Sequence, residues 1–154
     1  MIFKASQFTM IAGSGTGHSA LNAFDNALQI AGVGNCNLIK VSSILPPLCK
    51  ESINIQIPQG SLLPVAYSTM CSSNDGEEIV AAIGIGIPSD PDNIGVIMEY
   101  SAIGSSVDAE KNVKQMVEDA MNNRNIQIAD ILIKSCQNVV HNEYDCVLAA
   151  VALW

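Results

Sequence analysis

Two adjacent serines, Ser42 and Ser43, close the apolar run CNLIKV of residues 36–41 and stand just before the stiff pair Pro46-Pro47. A hydroxyl held in a constrained backbone can attack the carbonyl carbon of the residue before it and turn an amide into an ester. Backbone strain and a hydrogen-bond donor would both help, because the tetrahedral intermediate carries negative charge. The plainer alternative is a strand-ending pair whose hydroxyls bond nearby backbone. Local spacing by itself favours that alternative.

A second chemical candidate is GSGTG at 13–17, set between an apolar run (2–12) and a helical pattern. Glycines ahead of a helix can cradle a phosphate. Here the pattern fails: a GxGxxG fingerprint would need glycine where His18 stands, and no lysine follows to make a P-loop. The segment is expected to be a flexible strand-to-helix turn with close backbone packing. His18 and His141 are far apart, which supports no metal cluster. Five cysteines (36, 49, 71, 136 and 146) without a CxxC spacing are expected to be reduced thiols in a reducing cytoplasm, not a disulfide framework or zinc site.

The elements that must position these residues belong to one domain of 154 residues, a chain long enough to build a sizeable core. Half the residues are hydrophobic (49%) and 14% are charged, which excludes disorder. Seven basic against fifteen acidic residues leave a formal charge of −8. Only Arg124 and six scattered lysines could meet phosphates, so a nucleic-acid partner is disfavoured and a cationic one favoured. There is no signal peptide and no membrane-spanning run, so a soluble, cytoplasmic protein is expected.

Residues 19–31 follow a helical period through Leu21, Phe24, Leu28 and Ala31, with Ser19 as N-cap and Gly32 and Gly34 as the stop. A second helix is expected over 107–122, capped by Ser106, with Val113, Met116, Val117, Ala120 and Met121 as its apolar stripe. Strands are expected at 2–12, 36–41, 62–71, 79–87, 94–100, 126–135 and 145–153. The runs IVAAIGIGI and CVLAAVAL are apolar on both faces and suit strands buried between two layers. Two helices with about seven strands suggest an α+β or layered α/β sandwich.

The combination of GSGTGHSALNAFD (13–25), GNCNLIKVSSILPP (34–47), GSLLPVAY (60–67), GVIMEY (95–100) and the terminal ALW resembles the pyruvoyl-dependent arginine decarboxylase family. The match runs through most of the chain in order, and LNAFD with VSSILPP is its specific pair. The resemblance implies an α+β four-layer αββα sandwich that cleaves itself between Ser42 and Ser43. The products would be a β chain of 1–42 and an α chain of 43–154 headed by a covalent pyruvoyl group made from Ser43. That group would form a Schiff base with L-arginine and serve as electron sink, giving agmatine and carbon dioxide.

By the same resemblance Glu99 is the acid that protonates Cα, and a carboxyl beside apolar residues is suited to hold a proton. Asp25, beside the apolar stripe of the first helix, is the guanidinium anchor. Asn37 assists self-processing, Ser42 lines the pocket after cleavage, and Leu28 is a weaker candidate for its wall, with core packing the stronger reading. The implied assembly is a homotrimer of αβ protomers or a hexamer, with active sites between protomers. The chain departs from many family members at Thr16, where they carry an acidic residue, and at His18. Two alternatives stay open: the same chemistry on another amino acid, and an unprocessed, non-catalytic binding or assembly protein on the same fold.

Overall fold

The structure, a computed structural model, describes residues 2–154. Nine strands and two helices follow in the order β1 (Gln7–Gly17), α1 (Ala20–Ile30), β2 (Asn37–Lys40), β3 (Ile44–Leu45), β4 (Lys50–Glu51), β5 (Leu62–Ser72), β6 (Glu78–Pro88), β7 (Gly95–Ile103), α2 (Ser106–Asn122), β8 (Ile128–Val139) and β9 (Tyr144–Leu153). The strands form two sheets, β2-β5-β9-β1-β4 and β3-β7-β6-β8. Both short strands β3 and β4 fall in the proline-broken stretch from which no regular pattern could be read.

The doubly apolar runs become β6 and β9, each inside its own sheet, as expected. Alternate residues of β6 and β7 (Ile79, Ile83, Ile85, Ile97) meet Phe8, Val147 and Val151 of the first sheet in one core between the sheets. The opposite faces take the helices. Ala27 and Leu28 of α1 pack on Ile11, Leu148 and Val65, while Val113, Val117 and Met121 of α2 pack on β6 and β7. This stacking is compatible with a layered sandwich.

Helix α1 begins where Ser19 Oγ accepts the Asn22 N–H. It ends in a Schellman motif: Gly32, at φ +87°, donates to Gln29 O and Val33 donates to Leu28 O. Its buried face is turned from the one expected, because Ala23 and Ala27 are fully buried while Leu21 is 75% exposed. Helix α2 begins one residue earlier than expected, with Ser105 rather than Ser106 as cap.

The reason for the turned face corrects the reading of GSGTG. These residues are not a turn but the end of β1, and Gly13, Gly15 and Gly17 all face α1 at the two-residue period of a strand. A Cβ on Gly15 would stand 2.3 Å from Ala27 N and 2.5 Å from Ala23 O. Only glycine lets the helix backbone ride directly on the strand, with the small alanines filling what remains. The close packing expected of these glycines is present, and it serves the fold.

The cysteine expectation also needs correcting. Cys71 and Cys146, 75 residues apart in sequence, face each other across the β5–β9 pair and form a disulfide. Antiparallel register set them opposite, which sequence spacing could not reveal. Cys36, Cys49 and Cys136 are free, and burial pushes the Cys49 and Cys136 thiols above the ordinary 9.0.

Gly15→Ala should destabilise the protein by about 3 kcal/mol or more, since helix backbone cannot yield, whereas Gly84→Ala, whose nearest neighbour is a valine methyl at 3.1 Å, should stay within about 1 kcal/mol of wild type. Urea unfolding of both variants checks this. Alkylation without reductant, followed by intact mass, should label three thiols, two of them slowly near about pH 8 and faster as pH rises, because a raised thiol holds less thiolate. Reduction under denaturing conditions should release the remaining two.

Candidate active site

Ser42 and Ser43 stand where the chain changes sheets. Strand β2 pairs with β5 in the first sheet, and β3 pairs with β7 in the second. The stretch between them is anchored at both ends: Val41 N–H donates to Val65 O at 3.1 Å, and Ser43 O accepts the Ile97 N–H at 2.7 Å. The Ser42 carbonyl accepts the Ile44 N–H at 3.2 Å, closing a tight turn on Ser43. A donor therefore already sits on the carbonyl oxygen that would become the oxyanion in an attack by Ser43 Oγ. That donor belongs to Ile44, a backbone group that no side-chain motif could flag.

Glu99 lies on β7 on the same face as Ile97, two residues on, so it points into the gap between the sheets. Its carboxylate has two distinct surroundings. Oε1 lies 3.6 Å from Lys40 Nζ, and Oε2 is buried without a hydrogen-bond partner among the described residues. A buried carboxylate oxygen ordinarily has a partner, so this one has room for a hydrogen bond to an incoming group. Beside it a cleft of about 210 Å³ is lined by Lys40, Tyr67, Ser68, Thr69, Glu99, Tyr100 and Ser101. Ser68 is committed to structure, its hydroxyl donating to Ala82 O at 2.8 Å across the sheets, and Thr69 likewise donates to Val147 O at 2.9 Å.

The other candidates are placed apart from this pair. Asp25 is exposed on α1 and accepts from Gln29 Nε2 at 3.0 Å. Since α1 covers the outer face of the first sheet, that sheet lies between Asp25 and the face that carries Glu99. Asn37 opens β2, five residues before Ser42, a span of roughly 15 Å in extended chain; its amide donates to Gly60 O at 2.9 Å. The amide is thus engaged with the loop that precedes β5. Leu28 is buried in the cluster beneath α1, the core role that the residue taken alone favoured.

The remaining polar candidates sit at the β8–β9 turn. His18 Nδ1 meets Glu143 Oε2 at 2.7 Å, and His141 Nδ1 meets Asp75 Oδ1 at 3.2 Å. Asp145, fully buried, accepts the backbone N–H groups of His141 and Asn142 at 2.8 and 3.0 Å and pins this turn. The described residues contain no group of three metal-ligating side chains, and no described helix is long and apolar enough to cross a membrane. Lys40 and Tyr67 were not expected at the site. Both lie in stretches that carry the family resemblance, Lys40 two residues before the serine pair and Tyr67 at the end of 60–67, but the residues themselves gave neither a role.

Comparison with known proteins matches residues 7–154 to the pyruvoyl-dependent arginine decarboxylase family. A Methanococcus vannielii protein named pyruvoyl-dependent arginine decarboxylase is 41% identical over 146 residues, which are 95% of this chain and 88% of the relative. Its namesake from Methanococcus aeolicus is 42% identical over 153 residues, 99% and 92% of the two chains. The Pyrococcus furiosus protein of the same name is 38% identical over 147 residues, 94% and 92%.

Proposed function

This chain belongs to the pyruvoyl-dependent arginine decarboxylase family, and we propose that it cuts itself between Ser42 and Ser43 and then converts L-arginine to agmatine and carbon dioxide in the cytoplasm. The observation that carries the proposal is the crossing itself: a serine pair held between two sheets, its carbonyl already hydrogen-bonded, with Glu99 on the strand that anchors it.

In the cut, Ser43 Oγ loses its proton and attacks the Ser42 carbonyl carbon. The C–N bond to Ser43 breaks, the nitrogen takes a proton, and an ester joins the Ser42 acyl group to Oγ. Loss of the Ser43 Cα proton then expels Ser42 as a carboxylate and leaves dehydroalanine. Tautomerisation and attack by water release ammonia and leave a pyruvoyl group heading residues 43–154. The Ile44 N–H is the oxyanion donor that supports the first step. Asn37 assists this processing, its amide held on Gly60 O ahead of it.

The surroundings fit such a group, because the cleft beside Glu99 offers a buried oxygen with no partner among the described residues. When formed, the pyruvoyl carbonyl supplies an electron sink for the carbon that loses carbon dioxide. Glu99 is the residue that passes a proton to this carbon. Asp25 takes the guanidinium in a bidentate pair, and it does so for a neighbouring protomer, because in its own it lies across the sheet from Glu99. Leu21, about one turn before Asp25 on the same side of the helix and 75% exposed, supports a covered α1 face there. The reading carries with it the four-layer αββα order and a trimer of cleaved αβ protomers, alone or paired into a hexamer.

Intact mass of purified protein tests the first step. Two chains meeting at 42/43, the longer one blocked by pyruvoyl, and a single chain in Ser43→Ala, are expected. One uncut wild-type chain after prolonged warm incubation would overturn the enzyme reading in favour of a binding or assembly protein. For the substrate, Asp25→Asn should raise KM for arginine about 10- to 100-fold while self-cleavage proceeds, as loss of a charged hydrogen-bond pair implies. An unchanged KM in steady-state assays would point to another amino acid.

A further inference from the structure

The strand leading to the serine pair carries Lys40, whose Nζ lies 3.6 Å from Glu99 Oε1 and 4.6 Å from the centre of the Tyr67 ring. Tyr67 in turn rests against Phe24 of α1, ring centres 5.8 Å apart. A line of contacts thus runs from α1 past the first sheet to β7 of the second. Stability does not account for the ion pair. Its side chains are 54% and 38% exposed, and such pairs are worth less than about 1 kcal/mol.

Orientation does account for it. The two oxygens of a carboxylate are chemically alike, yet here one faces an ammonium and the other is buried without a partner among the described residues. Burying a polar atom without a partner is unfavourable, so the carboxylate would turn Oε2 toward water unless something held Oε1. The Lys40 ammonium supplies that hold. The face of Tyr67 restricts where the ammonium can sit, since a cation is attracted to the ring face.

We propose that Lys40, seated on Tyr67, is a positioning residue that keeps Glu99 Oε2 turned into the gap between the sheets. The proposal rests on Glu99 being the proton donor of the reaction above. Lys40 also lines the cleft, but the role proposed for it is to hold Glu99, so its loss should appear chiefly in kcat rather than in KM.

The test uses processed enzyme, with the cleaved fraction measured by intact mass and the pyruvoyl content by hydrazine titration. Lys40→Met should lower kcat on the order of 10- to 100-fold per pyruvoyl with KM little changed, the scale set by misplacing a catalytic group. Lys40→Arg should recover most of the loss. Tyr67→Leu should lower kcat in the wild-type background and add nothing in Lys40→Met, because the ring acts through the lysine.

A second readout needs no turnover and works on cut or uncut chain: the ¹³C carboxyl resonance of labelled Glu99 should move in Lys40→Met and return toward its wild-type position in Lys40→Arg. An unmoved resonance, an unchanged kcat, a rise in KM at constant kcat, or independent losses in the double variant would each overturn the proposal. Wild-type enzyme that is uncut, or idle with arginine, would instead overturn the reaction assigned above. The resonance would then decide by itself whether Lys40 orients Glu99.

Discussion

The passage of the chain from one sheet to the other constrains everything at the site. Lys40 ends a strand of the first sheet and Ile44 begins a strand of the second, with three residues between. Four peptide links reach at most about 14 Å, and sheets packed face to face stand about 10 Å apart. Little slack remains, and some of it is taken up by the turn on Ser43. A peptide bond in that position cannot drift from its neighbours, because the packed core between the sheets holds both its flanks. Functional groups are often placed by loops supported on a scaffold; here the scaffold's own layer spacing fixes where the serine pair stands.

Much of this was legible in the residues. Short apolar runs between turn signals located the long strands, and the caps of α1 could be read from Ser19 and Gly32. The apolar runs at 79–87 and 145–153 announced burial on both faces, and they form strands inside the two sheets. The glycine segment was misjudged through a conflict of signals. Glycine suggests a turn, but its spacing at 13, 15 and 17 is also the period of a strand, and the face it leaves bare is where α1 seats its alanines. Once Ala23 and Ala27 are drawn inward, Leu21 must turn out, so one misreading produced the other.

The site was less legible because it is made by register. Glu99 and Lys40 are 59 positions apart and meet because β3 draws β7 up to the crossing, and Cys71 meets Cys146 for the same kind of reason. A backbone donor such as the Ile44 N–H has no residue signature at all. Charge acts on a longer scale. A net −8 spread over the surface favours the approach of a substrate with a net positive charge, while a lysine stands beside Glu99 in the cleft.

The strand order has a consequence for what a cut at 42/43 would leave behind. The short piece carries β1 and β2, and β1 lies between β9 and β4 of the long piece, bonded along ten residue pairs to β9. The two pieces are interleaved within one sheet, with α1 laid across it, so breaking the covalent link releases neither. What changes is molecularity. Folding before the cut is a unimolecular event, whereas dissociation afterwards yields two species that must find each other again, and refolding would depend on concentration. A fragment of 42 residues is also near the lower limit for holding a core by itself. The cut would therefore act as a ratchet: the fold is reached once, as one chain, and kept thereafter by kinetics as much as by equilibrium.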